Sequence, residues 1–159
     1  PALPNPTPFS APSAFLTANS AYGFRSPPNP HTDPPMPDTT LLEAFPTPSQ
    51  TPFVIEHIAE EFTSVCPETG HPDFGVITVR FQPAPDGVCV ELKSLKLYLQ
   101  SFRDEGAFYE QVTNLVRDDL VALMNPTWLQ VISNWRGRGG IRSIIRANHN
   151  DIPTQYLPG

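Results

Sequence analysis

Hydrophobic and polar residues alternate with a period of two in two segments of the chain. In residues 75–81, Ile77, Val79 and Phe81 alternate with more polar neighbours, and residues 128–135 show the same alternation. A period of two predicts β-strands with one buried face. Residues 53–62 mix strand and helix spacings, and we favour a strand there. Residues 136–140 are rich in glycine and predict a turn, with a last strand at residues 141–147.

The period changes to that of a helix beyond residue 92. Between Phe108 and Leu123, apolar residues recur at helical spacing and form one stripe, and Asn125-Pro126 predicts the end of this helix. A shorter helix is predicted at residues 96–102. A turn at residues 83–87 predicts that residues 88–92 return as the partner strand of residues 75–81.

The predicted order is two strands, two helices and two strands, which is an α+β domain with helices on one face of an antiparallel sheet. Such a sheet has two exposed edges and a half-covered surface. We therefore expect the chain to associate with copies of itself.

Composition separates the two ends of the chain. Fourteen of its 21 prolines lie in the first 52 of 159 residues. We predict that residues 1–40 form an extended or disordered arm, with docking on a neighbouring subunit as the alternative, and that residues 41–159 form a single domain. The net charge of −6 argues against direct nucleic-acid binding.

The two cysteines, Cys66 and Cys89, are too few for a disulfide framework, and we expect both to be reduced and the protein to be cytoplasmic. No run of about 18 apolar residues indicates a membrane span. The proline-rich start also lacks the pattern of a secretion signal.

Cys66 and Asp73 lie seven residues apart, with Pro67, Gly70 and Pro72 predicting a tight turn between them. The turn lets both side chains reach one pocket. A thiolate is a soft nucleophile and a carboxyl group can supply a proton, so the pair suits addition to a polar multiple bond. The alternatives are a buried apolar cysteine and an aspartate that caps a turn.

Four segments resemble the NADPH-dependent 7-cyano-7-deazaguanine reductases of queuosine biosynthesis. The segments are residues 62–74, 91–98, 101–110 and 138–141, and the resemblance runs in order over about residues 41–147. It implies the tunnelling fold, in which subunits close into β-barrel rings that stack in pairs, with active sites at subunit interfaces.

The resemblance also implies roles for single residues. Cys66 would add to the nitrile to form a thioimide, and Asp73 would protonate the nitrile nitrogen from a partly dry site. Glu110 would accept hydrogen bonds from the guanine-like edge, for which a first-turn helix residue is the alternative. Backbone groups of three residues would complete base recognition: Val90, Glu91 and Leu92.

The chain departs from the family at Tyr109, where a histidine is usual. A tyrosine can stack on the base, but it does not titrate near neutral pH, which puts a proton relay at this position in doubt.

The cofactor implied by the resemblance is NADPH. Lys93 and Lys96 are the only lysines of the chain, and they would hold the cofactor phosphates with help from Arg138, Gly139 and Gly140. A solvated pair of surface lysines is the alternative. The chain has no glycine fingerprint of the Rossmann type.

Three other functions stay open. Zinc chemistry is disfavoured because no cysteine or histidine pair has the short spacing of a zinc motif, and we predict no metal. A related non-reducing enzyme could add ammonia or an amine to a nitrile with the same Cys66 and Asp73. A ring-forming module that only binds is the non-enzymatic alternative.

Overall fold

The computed structural model describes residues 37–156. Their elements are β1 (Ala44–Pro46), β2 (Ile55–Val65), β3 (Pro72–Gln82), β4 (Val88–Val90), α1 (Leu92–Gln100), α2 (Tyr109–Met124), β5 (Trp128–Trp135) and β6 (Ile144–His149). Single 3-10 turns at Thr39–Leu41 and Thr154–Tyr156 flank them. The predicted arm at residues 1–40 lies almost wholly outside the described residues, so the domain boundary stays a prediction.

The main sheet has four antiparallel strands in the order β2-β3-β5-β6. The alternation in β3 and β5 turns Ile77, Val79, Phe81, Leu129 and Val131 to one side, where all five are fully buried. Both helices contribute to the same core, α2 through residues such as Val112 and Val116 and α1 through residues such as Leu95 and Tyr98. The predicted α+β class and the helices over one face of the sheet are therefore confirmed.

Three predicted elements differ from the structure. The strand predicted at residues 88–92 is β4, which is only three residues long and pairs with β1 instead of residues 75–81. Strand β3 already has neighbours on both sides, β2 and β5, so no edge is left for β4. Helix α1 spans Leu92–Gln100 instead of the predicted residues 96–102. It begins at Leu92 because the Glu91 carboxylate accepts hydrogen bonds from the Lys93 and Ser94 backbone N–H groups and caps the helix there.

The last strand begins at Ile144 instead of residue 141 and extends to His149. Residues 138–141 form a tight hairpin turn in which Arg138 and Ile141 exchange two backbone hydrogen bonds of 2.9 and 3.0 Å. Gly139 and Gly140 both have positive φ, at +56° and +81°, as such a turn requires.

The other predicted elements are confirmed. Strand β5 spans the predicted residues, and α2 ends where Asn125 adopts a left-handed conformation before Pro126. The strand predicted at residues 53–62 is β2, which begins at Ile55 and extends to Val65. No helix within residues 37–156 is long and apolar enough to cross a membrane.

Candidate active site

The turn between β2 and β3 places Cys66 and Asp73 at the mouth of one cavity. The Cys66 N–H donates to the His71 carbonyl (2.8 Å) and the Gly70 N–H donates to the Cys66 carbonyl (2.8 Å), so the chain reverses direction as predicted. The cavity has a volume of about 280 Å³. Its lining is Cys66, Pro67, Asp73, Ala107, Phe108, Tyr109, Glu110, Arg136, Arg138, Ile141 and Ser143.

The loop before α2 closes the second side of this cavity. Val65, at the end of β2, forms backbone hydrogen bonds with Glu105 (3.0 Å) and Ala107 (3.1 Å). These bonds attach the start of α2 to the strand that carries Cys66 at its end. The first two residues of α2, Tyr109 and Glu110, consequently lie beside the cysteine although more than 40 residues separate them in sequence.

The environment of Cys66 favours its ionised form. The pKa of the thiol is lowered, chiefly because the sulfur accepts a hydrogen bond from the Thr69 hydroxyl. Backbone N–H groups of Glu68 and Thr69 act in the same direction, whereas burial and the charge of Asp73 oppose them. Cys66 is half-buried and free, and Cys89 is free and fully buried. The first cysteine has the surroundings of a nucleophile, and the second has those of a core residue.

Asp73 is 2% exposed, and two donors converge on one of its oxygens. The Tyr109 hydroxyl donates to Oδ1 at 2.7 Å, and Nη2 of Arg138 lies 2.6 Å from the same atom. Its other oxygen, Oδ2, has no hydrogen-bond partner within the described part of the chain. Because Oδ1 has two partners and Oδ2 has none among the described residues, the buried carboxyl group can exchange a proton with a ligand in the cavity through Oδ2.

Tyr109 is held in place by aromatic packing and by its backbone. Its ring stacks on Trp135, with centroids 4.0 Å apart and planes inclined by 10°. Burial, followed by the hydrogen bond to Asp73, raises the pKa of Tyr109 to about 12. The hydroxyl therefore stays protonated at neutral pH and acts as a donor. One ring face is already covered by Trp135, which limits the predicted stacking on a base to the other face.

A chain of buried polar groups connects Trp135 back to Tyr109. The Trp135 indole N–H donates to the Ser133 hydroxyl (2.8 Å), which lies 2.6 Å from the Thr113 hydroxyl. Thr113 in turn donates to the Tyr109 carbonyl (2.7 Å). Since Thr113 uses its proton on that carbonyl, Ser133 must be the donor to Thr113. This support was not predicted from the sequence. The only signal for it was the alternation in β5, which places Trp135 on the buried face of the strand.

Glu110 is exposed and lines the cavity, in the first turn of α2. Arg136 also lines it and was not among the predicted residues. Its guanidinium group lies 5.4 Å from the centroid of the Phe74 ring. The cavity thus joins a thiol, two carboxyl groups and two guanidinium groups.

The remaining predicted residues lie elsewhere in the chain. Glu91, Leu92, Lys93 and Lys96 line a larger cavity of about 860 Å³ between β2 and α1. As far as residues 37–156 are described, the two cavities share no lining residue. Val90 is buried, with its N–H directed at the Met124 sulfur (3.1 Å). A single chain therefore does not bring its predicted base-binding backbone or its lysines to Cys66.

Two further predictions can be compared with the geometry. Gly139 and Gly140 form the open turn beside Arg138, with free space where side chains would begin. Within residues 37–156, no group of three His, Cys, Asp or Glu side chains is placed to hold a metal ion.

Comparison with known proteins shows a consistent likeness. The family described as QueF-like protein matches residues 72–154. The "NADPH-dependent 7-cyano-7-deazaguanine reductase" of Rhodopirellula baltica is 56% identical over 111 residues, which cover 69% of this chain and 90% of that protein. The protein of the same name from Anaeromyxobacter dehalogenans strain 2CP-C is 52% identical over 113 residues, which cover 70% and 91%.

A solved structure agrees at the level of the fold. The apo form of an archaeosine synthase described as QueF-Like superimposes with a TM-score of 0.56 at 19% sequence identity. The match covers 66% of this chain and 99% of the other. The identity is low, so this likeness concerns the fold alone.

Proposed function

The chain belongs to the QueF-like protein family, and we propose that it reduces the nitrile of 7-cyano-7-deazaguanine to the primary amine 7-aminomethyl-7-deazaguanine with NADPH. This places it in queuosine biosynthesis. The observation that carries the proposal is the shared cavity of Cys66 and Asp73, in a chain that is 56% and 52% identical to reductases of that name over 111 and 113 residues.

Cys66 is the proposed nucleophile. Its thiolate adds to the nitrile carbon, one C–N π bond breaks, and the nitrogen takes a proton to give a thioimide. The hydrogen bonds that lower the pKa of the Cys66 thiol support this role, because they increase the fraction of thiolate near neutral pH.

Asp73 is the proposed proton donor. It lies in the same cavity as the sulfur, is nearly excluded from water, and keeps one oxygen open for the substrate nitrogen. Glu110, at the rim of this cavity, is the proposed acceptor for the N–H donors of the base, since a carboxylate can accept two of them in one plane.

The larger cavity holds the lysine pair that was predicted to bind the cofactor, together with four glutamates. Lys93 and Lys96 are exposed there on the first turns of α1, with Arg103 on the same lining. We propose that the two lysines hold the NADPH phosphates, and that the turn at Gly139 and Gly140, beside the Cys66 cavity, offers open backbone to the same cofactor where copies of the chain meet. Each NADPH would supply one hydride, so that one nitrile, two NADPH and two protons give one amine and two NADP⁺.

We further propose that the complete site forms between copies of the chain. The outer edges of β2 and β6 have no partner strand within residues 37–156, and Ile58 on β2 and Ile144 on β6 are exposed. Pairing of these edges would close the sheets into the barrel rings of the tunnelling fold. It would also bring the backbone of Val90, Glu91 and Leu92 and the two lysines of one copy to the Cys66 cavity of another.

The alternatives are a non-reducing nitrile transferase and a binding module. The lysine pair favours the reductase, because a non-reducing enzyme has no use for cofactor phosphates. We propose a cytoplasmic enzyme that needs no metal and does not bind nucleic acid directly.

The test is the stoichiometry of the reaction. The protein is incubated with the nitrile base and NADPH while nicotinamide absorbance and base consumption are followed. About two NADPH oxidised per nitrile consumed supports the proposal. Consumption of nitrile without oxidation of NADPH indicates the transferase, and no consumption indicates the binding module.

A further inference from the structure

Arg138 was expected to help bind the cofactor phosphates, but Nη2 of its guanidinium group already has two partners in the protein. Nη2 donates to the Pro72 carbonyl (2.8 Å) and forms an ion pair with Asp73 Oδ1 (2.6 Å). The backbone of Arg138 is fixed as well, by the two hydrogen bonds it exchanges with Ile141.

Asp73 would be left without a counter-charge if Arg138 moved away. The Asp73 side chain is 2% exposed, and Arg138 is its ion-pair partner within the described residues. If a phosphate drew the guanidinium group away, a buried carboxylate would lose its counter-charge, which is strongly unfavourable. Asp73 therefore competes with any cofactor phosphate for the same cation.

The position of Arg138 also argues against a role in binding the cofactor phosphates. It lines the cavity of Cys66, whereas Lys93 and Lys96 line the other cavity. The lysines have no ion-pair partner within residues 37–156, although the charge of Glu91 acts on Lys93.

We propose that Arg138 is a positioning residue for the Asp73 carboxyl group and not a ligand of the cofactor phosphates, an inference that rests on the proposed function. Arg138 and the Tyr109 hydroxyl both bind Oδ1, and this arrangement leaves Oδ2 as the open oxygen through which a proton passes to the substrate nitrogen. The carboxyl group cannot rotate to exchange its oxygens without breaking both contacts. Arg138 thus acts on the reaction through the orientation of the acid.

The test compares Arg138→Met with Lys93→Met, with Arg117→Met as control. Arg117 pairs with its neighbour Asp118 on the outer side of α2, away from the cavity. For each variant, kcat and KM for NADPH are measured with the nitrile base, and the Kd for NADPH alone is measured by fluorescence.

For Arg138→Met we expect kcat to fall by about ten- to a hundredfold while KM and Kd for NADPH stay within about twofold of the parent. Lys93→Met should instead raise the Kd for NADPH, and Arg117→Met should match the parent. Arg138→Lys should regain part of kcat, because an ammonium group restores the positive charge. The recovery should be partial, because an ammonium group lacks the planar set of donors of the guanidinium group.

The opposite result overturns the inference: a Kd for NADPH raised in Arg138→Met as much as in Lys93→Met, with kcat retained at saturating cofactor. Should Arg138→Met fail to fold, Arg138→Lys carries the same comparison of kcat with Kd. Failure of the proposed function is recognised separately, because the unmodified protein would then oxidise no NADPH in the presence of the nitrile.

Discussion

The ring of Tyr109 lies parallel to the indole of Trp135, at a centroid distance of 4.0 Å, and directs its hydroxyl to Asp73. The resemblance of the sequence to the reductases implies a histidine at this position. The tyrosine keeps the donor to the acid, but its raised pKa prevents it from releasing a proton near neutral pH. In this chain the residue is suited to orient Asp73 and not to relay protons.

Tyr109→Phe should lower kcat by about ten- to a hundredfold, because it removes one hydrogen bond to a buried carboxyl group and keeps the stack on Trp135. Steady-state kinetics with the nitrile base check this. Tyr109→His, which can again donate to Asp73, should recover activity.

Tyr98, a buried tyrosine that also donates to an aspartate, provides the matched control. The Tyr98 hydroxyl donates to Asp119 (2.5 Å) on the other side of the core. Tyr98→Phe should lower the Tm but leave kcat unchanged. Equal losses of kcat in Tyr109→Phe and Tyr98→Phe would indicate a general packing effect and contradict the orienting role of Tyr109.

Thr69→Val should slow the reaction of Cys66 near neutral pH. The Thr69 hydroxyl stabilises the thiolate, so its loss raises the pKa of the Cys66 thiol and reduces the thiolate fraction. The measurement is the pH dependence of Cys66 alkylation by iodoacetamide, followed by peptide mass spectrometry to separate it from Cys89. The midpoint should move to higher pH in Thr69→Val and stay in place in Thr69→Ser. An unchanged midpoint in Thr69→Val would show that the hydroxyl does not tune the sulfur.

Gly75→Ala should disturb the stack that supports Tyr109. An added Cβ would lie 3.1 Å from Cε3 of Trp135 and 3.3 Å from the Asn134 carbonyl oxygen, which is tighter than normal contact. We expect a loss of about 1–3 kcal/mol in the free energy of unfolding, because well-packed cores tolerate extra volume poorly. Thermal denaturation and kcat measured together check this, and a variant with the Tm and kcat of the parent would show that Trp135 can shift freely.

Mixing two inactive variants tests whether the site is shared between copies. One variant is Cys66→Ala, and the other carries Lys93→Met with Lys96→Met. After joint unfolding and refolding, random assembly would give about a quarter of the sites an intact cysteine from one copy and intact lysines from another. Activity should reappear in the mixture. If each variant is inactive alone and the mixture stays inactive although native mass spectrometry shows mixed oligomers, the two cavities do not act together.

Periodicity predicted the long elements well and the short ones poorly. Strand β5 and helix α2 carry enough residues for their periods to be read, and Asn125-Pro126 ends α2 for a local reason. Strand β4 has three residues, too few to show a period, and it pairs with β1, a strand far from it in sequence, in a separate two-stranded sheet. The start of α1 depends on the cap at Glu91 and not on a hydrophobic pattern.

In the candidate site, too, local contacts could be predicted from the sequence and long-range contacts could not. Cys66 and Asp73 share one hairpin, so their proximity follows from local turn residues. The contact between Asp73 and Arg138 spans 65 residues and depends on how β3 and the 138–141 turn meet, which no spacing in the sequence reveals. Family resemblance indicated Arg138 as a functional residue, and only the geometry indicates which group it serves.

The central claim, a nucleophilic Cys66, is tested most directly by intact-protein mass spectrometry with the nitrile base and no NADPH. The account predicts that the parent protein gains the mass of one base, that this mass lies on the peptide containing Cys66, and that Cys66→Ala gains nothing while Cys89→Ala still forms the adduct. A parent protein that reduces the nitrile with NADPH but never carries the adduct, or a Cys66→Ala variant that retains full turnover, would contradict it.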